Sequence, residues 1–135
     1  MKVCFKDITK HINKESVDVV KEFVKLLQEE LPLHKDVFIT FTGGRDVKMT
    51  TGVRMRGHKI YVLAGGRMLI DIMRTLAHEW VHEFQHQKMG LKDTDKIQNI
   101  GGPEENMANT LSGIFVKKFD KSFPEYSKFI YGEES

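Results

Sequence analysis

The stretch Arg74-Thr-Leu-Ala-His78-Glu79-Trp80-Val81-His82-Glu83-Phe84-Gln85-His86 decides how the rest of the chain reads. It contains the pattern H-E-x-x-H, with Glu79 directly after the first histidine. On an α-helix, residues four apart stand one above the other on one face. Two imidazoles so placed can grip one Zn²⁺ together. Glu79 points to the flank of that face, where it can reach a water on the metal without being a ligand. Two nitrogen ligands, a base beside the water and an open coordination position are what a zinc hydrolase needs.

The surroundings of the motif sharpen this reading. At about 100° per residue, Leu69, Met73, Leu76, Trp80 and Phe84 fall on one side of a helix. Asp71, Arg74, Thr75, His78, His82 and Gln85 fall on the other. An apolar side accounts for burial of the helix. It does not account for two histidines and a carboxylate away from it. The bland alternative is a surface helix with exposed histidines.

Bulk properties exclude several classes. A chain of 135 residues fits one compact domain, residues 1–135, and 40% hydrophobic content is enough for one core. The net charge of +2 does not call for nucleic acid or an anionic membrane as partner. The single cysteine, Cys4, excludes an internal disulfide, and it reads as a packed strand residue. No apolar run reaches the ~18 residues of a membrane span, and no signal-peptide core is visible, so a cytoplasmic location is expected. A monomer is the default.

Outward from the motif, the chain alternates strand-like and helix-like segments. Residues 2–8 read as a short first strand. Asn13 is an N-cap with Glu15 in the first turn, and Val17, Val20, Val24, Leu27 and Leu31 form an apolar stripe that stops at Pro32. The facing residues, Gln28 among them, read as a solvated surface. Residues 37–42, 47–55 (interrupted near Gly52) and 59–63 read as strands, and the glycine-rich turns between them favour antiparallel neighbours. A long helix over 67–89 follows, with Gly90 just beyond it. Residues 91–100 read as a polar loop. Gly102-Pro103-Glu104-Glu105 opens a last major helix, striped by Met107, Leu111, Ile114, Phe115, Lys118 and Phe119. Residues 131–135 read as a frayed tail.

Catalytic zinc usually has a third protein ligand. Glu105 is favoured over Glu104, because Glu105 and Asn109 lie four apart on one helical face. Asn109 can then orient a ligand imidazole from behind. Ala108 lets this helix approach the histidine helix closely. His86, four residues after His82, is an alternative ligand, but it is rotated about 80° from His78. It is better placed at the cleft edge.

His78-Glu-Trp-Val-His82 followed by Glu105-x-x-Ala108-Asn109 resembles the gluzincin metallopeptidases. The strand over 59–63 before Arg74-Thr-Leu-Ala-His78-Glu also looks like the compact ImmA/IrrE-like and SprT-like zincins of bacteria and phages. The resemblance runs from about residue 59 to 118. It implies an α+β zincin-like domain, in which a small, mostly antiparallel sheet packs on the motif helix and a second helix carries the glutamate ligand. It implies a zinc metallopeptidase with His78, His82 and Glu105 on one Zn²⁺, Glu79 as general base, and a peptide or protein as substrate. Pairing of an extended peptide with the edge of the 59–63 strand is implied as well. Asn109 stands where thermolysin-type members carry Asp. Tyr126, Tyr131, Tyr61, Arg67 and His86 remain candidates for the oxyanion donor. The alternatives are a non-catalytic zinc-stabilised interaction domain, a DNA-associated SprT-like protease, and a zinc hydrolase of another amide such as a cell-wall peptide.

Overall fold

Local chemistry sets the first helices. In a computed structural model that describes residues 1–44, 51–91 and 102–132, the chain opens with strand β1 (Val3–Lys6) and a single turn, α1 (Ile8–His11). Asn13 caps α2 (Lys14–Glu30) as expected, its Oδ1 accepting from the Ser16 N–H at 3.1 Å. This satisfies one of the donors a helix start leaves free. The helix ends just before Pro32. Gln28 is not a solvated side chain: it donates to the Leu33 carbonyl and accepts from the Leu33 N–H, both at 3.0 Å.

The strands that follow are β2 (Val37–Thr42), β3 (Gly52–Met55) and β4 (Lys59–Leu63). They form one sheet with β1, in the order β1-β2-β4-β3. The expectation of a mostly antiparallel sheet is overturned. β1–β2 and β2–β4 run parallel, and β3–β4 is antiparallel. The reason is connectivity. Two helices carry the chain back between β1 and β2, which is the crossover that parallel neighbours require. Among the described residues, the tight turn at 56–58 joins antiparallel neighbours as the glycine signals suggested. Residues 47–50 of the strand expected over 47–55 lie outside the described residues, as do 92–100 of the expected loop and 133–135 of the expected tail.

Alternation fixes the two faces of the sheet. Val37, Ile39, Phe41, Ile60 and Val62 are buried in one core with Val20, Phe23, Leu27, Leu76 and Trp80. Val53, Leu63 and Tyr61 form a separate small cluster on the opposite face. Cys4 has the wrong parity for the core: Val3 and Phe5 pack against it, and Cys4 is exposed.

The motif helix α3 spans Leu69–Lys88, and Gly90 follows it with φ 71°. It is buried nearly all round. The sheet and α2 take its apolar side, where Trp80 is fully buried and donates from Nε1 to the Leu31 carbonyl at 3.0 Å. Helix α4 (Pro103–Ser122) packs on another side, with Pro103 and both glutamates in its first turn and Ala108 fully buried in the shared core. Its buried row is Ala108, Ser112, Phe115, Val116 and Phe119. Ile114, expected in the stripe, is half exposed. A 3₁₀ turn (Pro124–Tyr126) and α5 (Ser127–Tyr131) close the described chain, so Tyr131 ends a helix rather than opening a tail.

Candidate metal centre

Two rows of polar side chains leave α3 in different directions. His78, His82 and Gln85 face α4, while Thr75, Glu79 and Glu83 face β3. Each row follows from spacings of three and four on a helix.

The first row builds a ligand set. His78, His82 and Glu105 each offer one ligand atom, and these atoms lie within 4.8 Å of one another. The two Nε2 atoms are 3.2 Å apart. Glu105 Oε1 is 2.8 Å from His78 Nε2, and its Oε2 is 3.1 Å from His82 Nε2. Two nitrogens bound at about 2.0–2.1 Å to one tetrahedral ion would stand about 3.3 Å apart, so the spacing suits a single metal. His82 is 1% exposed at its side chain, whereas His78 and Glu105 are 19% and 17% exposed. The set is therefore sealed behind His82 and reachable from the His78–Glu105 side. Burial, with help from the neighbouring His82, lowers the pKa of His78. The Glu105 carboxylate and a hydrogen bond to the Asn109 side chain oppose that shift.

Asn109 lies within hydrogen-bonding reach of the His78 ring. His86 does not belong to the convergent group. Glu104 contributes only its carbonyl, which accepts from Gln85 Nε2 at 2.9 Å. Gln85 Oε1 in turn lies 2.8 Å from His82 Nδ1. The sequence placed Gln85 on the polar side of α3 without a task. Its spacing of three from His82 was the only available signal.

The second row meets the outer strand. Glu79 is 7% exposed and accepts from the backbone N–H of Arg54 on β3. Burial, reinforced by the Glu105 charge and only partly offset by that N–H, pushes its carboxyl up to about 8. Gly52 makes this contact possible. A Cβ there would stand 2.4 Å from Thr75 Cγ2 and 3.3 Å from Glu79 Cγ. The break in the strand pattern at Gly52 is therefore a close crossing of β3 over α3. The Arg54 guanidinium passes Glu79 by and goes one turn further, to Glu83, with Nε 2.6 Å from Oε1. Glu83 also receives His58 Nδ1 at 2.7 Å and Gln87 Nε2 at 2.5 Å. Gln87 Oε1 accepts from the His34 and Lys35 N–H groups, each at 3.0 Å.

Four of the expected oxyanion donors lie elsewhere. Tyr126 stacks with Phe119 and Phe123, and Phe119 is about 21 Å along α4 from Glu105. Tyr131 ends α5, where Gly132 lies against Met68, and Met68 is about 15 Å along the helix from His78. Tyr61 is on the sheet face turned away from α3. Arg67 is committed to the Leu63 carbonyl and Thr75 Oγ1, each at 3.0 Å, and to the Asp71 carbonyl at 3.3 Å. The strand expected to pair with a peptide, β4, is interior, bonded on both sides by β2 and β3.

No helix among the described residues is long and apolar enough to cross a membrane. Comparison with protein-family models, with curated proteins and with solved structures gave no match.

Proposed function

We propose that this chain is a zinc-dependent metallopeptidase of the zincin type. The observation that carries the proposal is the pairing of a three-donor ligand set with a buried carboxylate on the adjacent turn face, Glu79. A purely structural metal site has no use for that carboxylate, and burying it costs free energy. The donor set also fits the metal. Two imidazole nitrogens and one carboxylate oxygen are a common catalytic zinc set, which leaves a position open. Among the described residues no fourth ligand, His86 included, joins the group, as the closed site of a structural domain would require.

Bound zinc would polarise a substrate carbonyl and acidify water. The chain's own residues supply the rest. His78 and His82 present Nε2, and Glu105 presents its carboxylate. Asn109 steadies the His78 ring. Glu79 takes the proton from the attacking water and passes it to the leaving amine. The charge of a bound zinc would favour the ionised carboxylate that this step requires. A peptide in extended form would add to β3, the edge strand of the described sheet that lies beside Glu79, because β4 is already paired on both edges.

The test is Glu79→Gln, assayed on a broad peptide library with zinc content measured on the same samples. The variant should keep fold and zinc and lose nearly all turnover, since an amide cannot accept the proton at neutral pH. Equal cleavage by the variant and the wild type would rule the mechanism out.

A further inference from the structure

Gln85 sits at the junction of the two helices that carry the ligands. It is 1% exposed. Its Nε2 donates to the Glu104 carbonyl at 2.9 Å, and its Oε1 is 2.8 Å from His82 Nδ1. A carbonyl can only accept, so the amide's NH₂ must face Glu104 and its oxygen must face His82. An oxygen there accepts, so Nδ1 must carry a proton. In the neutral ring the lone pair then belongs to Nε2, the atom that points at His78 and Glu105. One amide therefore decides both which nitrogen of His82 can bind a metal and where the first turn of α4 lies against α3. Glu105 is the next residue after the carbonyl that Gln85 holds.

We propose that Gln85 is the positioning residue of the metal centre, fixing the His82 ring through Nδ1 and holding the Glu105 turn through the Glu104 carbonyl. This rests on reading the triad as a zinc site. Partners of this kind typically tune metal affinity by about 10–100-fold. A merely structural link between α3 and α4 would leave the ring of His82 indifferent to it.

The experiment uses the full chain and two substitutions. Gln85→Leu removes both hydrogen bonds. Gln85→Glu keeps an acceptor for Nδ1–H and removes the donor to Glu104. The readouts are the His82 Nδ1–H signal by NMR, recorded without added metal, and the dissociation constant for Zn²⁺ by chelator competition. The expected result is an Nδ1–H signal in wild type and in Gln85→Glu, and its loss in Gln85→Leu. Zinc affinity should fall about 10–100-fold in Gln85→Leu and stay nearer wild type in Gln85→Glu. Unchanged zinc affinity in a folded Gln85→Leu would overturn the proposal. A Gln85→Glu protein without the Nδ1–H signal would do the same, and it decides the matter should the leucine variant fail to fold. Wild type that binds no Zn²⁺ would instead sink the metallopeptidase reading, and the signal from His82 keeps the two failures apart.

Discussion

Arg54 Nε lies 2.6 Å from Glu83 Oε1, and the two side chains are 3% and 0% exposed. This ion pair ties β3, an edge strand of the described sheet, to the turn of α3 that follows His82. The backbone of the same arginine holds Glu79. One strand residue thus fixes the position of the proposed general base with its main chain and secures the helix beneath with its side chain.

Breaking that pair should be costly. Removing one partner of a buried ion pair leaves the other charge uncompensated, which typically costs about 3–5 kcal/mol. Arg54→Met and Glu83→Leu should each show a loss of that order in urea denaturation. The double variant should recover much of it, because burying neither charge avoids the penalty. A loss below about 1 kcal/mol in both single variants, the range of an exposed pair, would show that Glu83 is not sealed in the way the geometry indicates.

The crossing at Gly52 makes a second prediction. Gly52→Ala places a methyl 2.4 Å from Thr75 Cγ2, and forced overpacking of this kind costs about 1–3 kcal/mol. Since the strand must shift off Glu79, peptide hydrolysis should fall together with stability. Thr75→Ser removes the clashing methyl and keeps the hydroxyl that accepts from Arg67. The double variant should therefore be more stable than Gly52→Ala alone. If Thr75→Ser gives no relief, the clash lies elsewhere, with the Tyr61 carbonyl at 3.1 Å as the next contact.

Zinc itself should be stoichiometric and stabilising. One ion per chain is expected in wild type, with weakened or lost metal in His78→Ala, His82→Ala and Glu105→Ala by elemental analysis. Zinc at about 1,000 times its dissociation constant should add about 4 kcal/mol to the folded state. Chelation should therefore lower the melting temperature of wild type and leave that of Glu105→Ala nearly unmoved. Full zinc occupancy in Glu105→Ala would remove Glu105 from the ligand set.

Tyr126 offers a control. Its ring packs on Phe119 and Phe123 at the far end of α4. Tyr126→Phe should keep zinc affinity and turnover unchanged, whereas Tyr126→Ala should cost stability through lost ring packing. A large drop in turnover with Tyr126→Phe, at unchanged stability, would return this hydroxyl to the list of oxyanion donors.

The possible metal-binding triad was legible in the sequence because its spacings are local. His78 and His82 share a helical face by spacing alone, and Glu105 and Asn109 do so on the next helix. A helix holds those relations whatever surrounds it. The helix boundaries were legible for the same reason: Asn13, Pro32, Gly90 and Pro103 act on the backbone within one turn. Tertiary structure alone decided the direction of the strands, because pairing depends on where the crossover between β1 and β2 delivers the chain and not on the residues of the strands. It also gave Thr75, Glu79 and Glu83 a strand to face. Gln85, Arg54 and Gly52 acquired their tasks only there. Each is defined by a partner more than 15 residues away in the chain, and no spacing within a helix or strand encodes a contact made between them.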